Sequence, residues 1–111
     1  MTNESLLGTF EQLVLAAVMQ VGDEAYPPLV LDWIKRNTGR DVNRGSLYVT
    51  LDRLEKKDLL RSSHGDTNAE RDGRPKRYLR VTREGRDALA YARASLLASW
   101  NGLEEILGGT S

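Results

Sequence analysis

Between Arg44 and Val81 the chain sets a helix-patterned run, two short apolar runs and an arginine-loaded polar loop in one fixed order. The helical run is Arg44-Gly45-Ser46-Leu47-Tyr48-Val49-Thr50-Leu51-Asp52-Arg53-Leu54. The apolar runs are Leu59 to His64 and Arg77 to Val81, and the polar loop spans Gly65 to Lys76. This order suits a winged helix-turn-helix, in which one helix enters a DNA groove and a basic hairpin straddles the backbone beside it. The expected fold is therefore mainly α with a small β-hairpin.

Within the run, Leu47, Leu51 and Leu54 follow the i, i+4, i+7 spacing of a buried helical stripe. At about 100° per residue the opposite face then carries Gly45, Ser46, Val49, Arg53 and Lys56, with Arg44 and Tyr48 on its flanks. Small residues near the helix start let a backbone sit close to a groove wall, and arginines reach phosphates or the O6/N7 edge of guanine. Asp52 and Lys56 have i, i+4 spacing and are expected to pair on the surface. The loop adds Arg71, Arg74, Lys76 and Arg77, a cation cluster suited to tracking a phosphate backbone. The DNA-contacting set is thus Arg44, Ser46, Tyr48, Val49, Arg53, Arg71, Arg74, Lys76 and Arg77.

The formal net charge of zero hides a strong asymmetry. Residues 1–34 carry five acids and no Lys or Arg, residues 35–83 fourteen bases and seven acids, and residues 84–111 two bases and four acids. A polyanion responds to the local face rather than to the total. With 111 residues, 40% apolar and 29% charged, the chain is expected to be globular. There is no cysteine, which excludes disulfides and thiolate metal sites, and His64 is the only histidine. No leader pattern and no run of eighteen apolar residues occurs, so a cytoplasmic protein without a membrane partner is expected.

Flanking segments complete the outline. A first helix is expected from about Ser5 to Gln20, ended by Gly22-Asp23. Its apolar positions exceed one face, which suits a helix central in the fold or shared with a second subunit. Pro27-Pro28 open a second helix carrying Val30, Trp33 and Ile34 inward, and Thr38-Gly39 stops it. Asn43 supplies the N-cap of the third helix. After the hairpin, Thr82 caps a final helix read as continuous to Leu107, before Gly108-Gly109. Leu89, Ala92, Leu96, Trp100, Leu103 and Leu107 repeat along it. A stripe on about 25 helical residues, roughly 37 Å, is longer than a small domain can cover and calls for the same helix of a second subunit. The expected organisation is a winged helix-turn-helix domain over 1–82, a dimerisation helix over 83–107 and a disordered tail over 108–111.

Three stretches together resemble the PadR family of bacterial transcriptional regulators across nearly the whole chain. They are Gly8 to Ala17, Gly45 to Glu55 with its Leu-Tyr before Asp-Arg-Leu, and Gly73 to Gly85 with its Arg-Tyr strand and Thr-x-Glu-Gly. Pro27-Pro28 depart from the family's usual pair after Ala-Tyr. The resemblance implies a homodimeric repressor of the shorter subgroup, whose last helix packs on the partner's first helix. It places Leu6, Phe10, Leu89, Leu96, Trp100, Leu103 and Leu107 at the dimer interface. It also implies, for some members, a hydrophobic or aromatic effector stacked on a tryptophan in the position of Trp100.

The function expected is a sequence-specific regulator, a repressor occupying a palindrome-like double-stranded DNA operator as a homodimer, with or without a small-molecule effector. The alternative is a winged-helix adaptor that contacts proteins and not DNA, which would want an apolar or acidic outer face on the third helix. No nucleophile–His–acid set, phosphate-cradling glycine loop or paired-carboxylate motif is present, so neither an enzyme nor a cofactor is expected. For Trp100 the competing account is plain dimer packing, and for Trp33 ordinary core.

Overall fold

Leu47, Leu51 and Leu54, the stripe turned inward by its spacing, are fully buried in a computed structural model that describes residues 7–65 and 76–108. Around them the chain forms α1 (Thr9–Val21), α2 (Pro27–Thr38), α3 (Arg44–Lys56), β1 (Leu60–His64), β2 (Arg77–Val81), α4 (Arg83–Ser99) and α5 (Leu103–Leu107). The core joins Val14, Leu15 and Val18 of α1, Val30 and Ile34 of α2, the α3 leucines, and Leu60, Leu79 and Val81 of the sheet. Each such side chain withdrawn from water contributes about 2 kcal/mol before the entropy of ordering the chain is counted.

Caps set most boundaries. The Glu11 carboxylate accepts from the Gly8 amide at 3.0 Å, so α1 begins at Thr9, four residues later than the apolar pattern suggests. Its surplus apolar positions are explained by centrality, because α1 touches α2, α3, α4 and β2. Pro27-Pro28 open α2, and Gly39 closes it in the left-handed region at φ 76°. The Asn43 side chain accepts from the Ser46 amide at 2.7 Å and starts α3. The Thr82 hydroxyl accepts from the Gly85 amide at 2.9 Å and starts α4.

The two strands are antiparallel, with Leu60 opposite Val81 and His64 opposite Arg77. On the free edge of β2, the Leu79 amide donates to the Ala25 carbonyl at 2.9 Å, tying the α1–α2 link to the sheet. Trp33 is partly buried against the core, and His64 is exposed at the end of β1, both as the sequence suggests.

The C-terminal segment corrects one expectation. It is not a continuous helix to Leu107: α4 stops at Ser99, the chain turns through Trp100-Asn101-Gly102, and α5 follows. Gly102 sits at φ 83°, where a residue with a Cβ is disfavoured, so Asn101-Gly102 ends the helix before Gly108 can. Only the first turns of α4 meet the body, through buried Gly85 and partly buried Ala88 and Leu89. Beyond them Tyr91, Leu96, Leu97, Trp100, Ile106 and Leu107 are exposed. The radius of gyration is 16.2 Å, against roughly 13 Å for a compact chain of this length, because this arm projects.

Candidate nucleic-acid interface

The capped start of α3 fixes which side chains face outward. Arg44, Gly45, Ser46, Tyr48, Val49, Asp52, Arg53 and Lys56 are exposed, and Val49 is 57% exposed although apolar. The helix therefore presents small groups over its first turn, one aliphatic group at its middle and cations toward its end. Thr50, absent from the sequence-derived inward stripe, is buried at 4% beside the leucines. Phe10 of α1 lies next to this face, bordering a shallow depression with Gly45, Ser46, Val49 and Arg53. Arg40, in the turn before α3, stacks its guanidinium 5.9 Å from the Phe10 ring centre.

Arg77 has a different situation from the free loop cation that its sequence neighbours suggest. Its Nη2 donates to Glu55 at 2.8 Å and to Asp52 at 3.2 Å, and its Nε donates to the Ser62 hydroxyl at 2.9 Å. The Ser62 hydroxyl in turn donates to Glu55. The guanidinium also lies 5.8 Å from the centre of the Tyr48 ring. Burial would raise the Glu55 carboxyl, but hydrogen bonds from Ser62 and Arg77, together with the Arg77 charge, hold it below the usual carboxylate value. Burial likewise works against the charged Arg77, and its two carboxylate partners more than offset it. The group clamps the hairpin to α3, and its single positive charge offsets one of the two negative charges of Glu55 and Asp52. Asp52 is accordingly turned to Arg77 rather than paired with Lys56. Nothing local in the sequence links these positions, which are 22 and 25 residues apart.

Lys76 sits 4.8 Å from the centre of the Tyr26 ring, at the base of the hairpin loop. Arg71 and Arg74 of the DNA-contacting set, and Leu6 of the interface set, lie outside the described residues. Of the other residues expected at a dimer interface, Phe10, Leu89 and Leu103 are partly buried within the chain, and Leu96, Trp100 and Leu107 are exposed along the arm. Among the described residues no acidic, histidine and cysteine cluster could hold a metal ion, and no helix is long and apolar enough to cross a membrane.

The sequence profile of the family described as transcriptional regulator PadR-like matches residues 24–91, which take in the second helix, the exposed helix, the hairpin and the start of α4. The chain belongs to the PadR-like family of transcriptional regulators. No curated protein gives a match in sequence. Solved structures resembling this PadR-like chain include a PadR-like transcriptional regulator of Bacillus cereus, 21% identical, covering 97% of this chain and 100% of that one with a TM-score of 0.73. A PadR family transcriptional regulator of Eggerthella lenta is 26% identical, with 93% and 85% covered and a TM-score of 0.71. A third, a PadR family transcription regulator of Clostridium difficile, is 20% identical over 91% and 96% of the two chains, with a TM-score of 0.69. The protein is thus a PadR-like transcription regulator built on the winged-helix fold.

Proposed function

We propose that the protein is a homodimeric repressor that reads a two-fold symmetric DNA operator through α3 and releases it when a small hydrophobic or aromatic molecule enters between the subunits. The observation that carries the DNA half is the exposed face of α3, where Ser46 and Val49 stand ready for base edges and Arg44 and Arg53 flank them as cations. The adaptor alternative wants an apolar or acidic face there, and this face is neither.

In this reading Tyr48 and the hairpin cations Arg71, Arg74 and Lys76 hold flanking backbone. Arg77 acts from behind them, by fixing the angle between wing and helix. The projecting arm supports the dimer, since exposed Leu96, Leu97, Trp100, Ile106 and Leu107 lack a cover within the described chain. Trp100, 40% exposed at the break between α4 and α5, offers the ring on which an effector would stack.

The test is selection of fragmented genomic DNA by the purified protein at about 0.15 M salt, where nonspecific contacts are largely screened. Recovery of promoter fragments sharing a symmetric motif is expected. With that site in hand, Arg53→Ala combined with Arg74→Ala should weaken binding at least tenfold and reduce the salt slope by about 1 to 2. Retention of no fragment, or an unchanged slope in the double variant, sinks the DNA reading. Adding planar hydrophobic compounds to the complex tests the release step.

A further inference from the structure

The β1–β2 sheet has two faces with different duties. Ser62 and Arg77 bond to α3, so by strand alternation Arg61, Ser63, Tyr78 and Arg80 point to the opposite side. There, together with the end of α1 and the first turns of α4, they line a groove of about 670 Å³. That volume lies in the range of small-molecule sites.

The charge in this groove is unusual. Arg61 and Arg80 are directly opposed in the sheet register. Like charges at opposed positions, with Cβ atoms about 5 Å apart, destabilise an antiparallel pair. Arg86 of α4 joins them on the groove wall, and Asp23 is the one acid among the described lining residues. None of the three arginines forms an ion pair with a described residue. Among the described lining residues, three guanidiniums against one carboxylate leave two positive charges in a concave site. A phosphate monoester carries about −1.5 to −2 at neutral pH and offers three acceptor oxygens that suit forked guanidinium donors. The groove is larger than a phosphate alone, and Tyr78 and Met19 give the remainder a partly apolar wall. If operator DNA lies against α3 as proposed, it meets the other side of the sheet, and these exposed arginines are left available to another anion.

We propose that this groove binds a phosphorylated small molecule of nucleotide or sugar-phosphate size. Its phosphate sits among Arg61, Arg80 and Arg86, and its body rests against Tyr78 and Met19.

The test is calorimetric titration of the full-length, DNA-free protein with AMP, with glucose 6-phosphate, and with adenosine as the uncharged control. At least one of the two phosphate monoesters should bind saturably, one per chain and at least tenfold tighter than adenosine. Arg61→Gln combined with Arg80→Gln should weaken that binding at least tenfold, whereas Arg53→Ala on the α3 face should leave it unchanged. Should the double variant fail to fold by circular dichroism, Arg86→Gln, a single change on an exposed turn, decides in its place with the same expected loss. The proposal is overturned if neither monoester binds saturably, if binding survives removal of the arginines, or if it disappears in Arg53→Ala. It is equally overturned if Arg61→Gln with Arg80→Gln lowers DNA affinity and its salt slope, because the arginines would then belong to the DNA surface. Failure of the operator experiment leaves the titration unaffected, so the two readings stand or fall separately.

Discussion

Among the described residues Glu11 is the one acid buried with the core, 7% exposed, and its surroundings keep it ionised. Burial pushes its carboxyl upward, but the Gly8 amide, the Lys57 ammonium at 2.9 Å and the Arg53 charge together hold it below the usual carboxylate value. A carboxyl depressed in the folded state contributes stability above its unfolded pKa and loses it as pH falls through the folded one. The folded protein should therefore begin to lose stability as pH drops below about 4.5. Glu11→Gln should be less stable at pH 7, and its deficit should shrink as the solution is acidified below that point. Urea midpoints from pH 7 down to 3 measure this, and a deficit constant across the range would exclude the ion pair as its source. The Glu55–Arg77 pair bends the curve in the same direction, since Glu55 is likewise depressed. It remains intact in Glu11→Gln and cancels from the difference.

Among the elements, the joint between the hairpin and α4 is the tightest. A Cβ on Gly85 would stand 2.2 Å from the Leu59 carbonyl oxygen and 2.7 Å from a Val81 methyl. The obstacle is backbone, and the same carbonyl accepts from the Thr82 amide at 3.1 Å, so α4 would have to lift away. Gly85→Ala should cost about 2–3 kcal/mol, an overpacking penalty read as a lower thermal midpoint. An unshifted midpoint would mean that α4 seats elsewhere. The close approach of Gly85 was not read from the sequence, but the Thr82 cap that starts α4 was legible there. So were both ends of α2, the Asn43 cap and the strands to within one residue. The break after Ser99 was not, since the apolar stripe runs on through Trp100, Leu103 and Leu107 and outweighs the short Asn101-Gly102 signal. The Arg77 clamp was equally hidden, because it joins the second strand to α3 across a loop and depends on the hairpin's register. Its arginine was read with its loop neighbours, whereas the exposed side of α3 followed from three leucines alone.

At the scale of the whole molecule, the arm decides what the chain can do by itself. Its exposed apolar side chains make no contribution to the body's core, so the proposed pairing can be disturbed separately from the body. Leu96→Glu with Leu97→Glu, at positions 55% and 51% exposed, should leave the helical content and thermal midpoint of the body nearly unchanged. Sedimentation should then report monomers, and operator affinity should fall by more than tenfold with only one half-site engaged at a time. A variant that still sediments as a dimer would move the subunit contact off the arm. A related separation runs along α3 itself. Its leucines, Thr50 and the two acids held by Arg77 fasten the helix, while Ser46 and Val49 are exposed. Substitutions at the second group carry small folding penalties, so, where this face reads DNA as proposed, descendants of this sequence can acquire new target sites one residue at a time without passing through an unfolded ancestor.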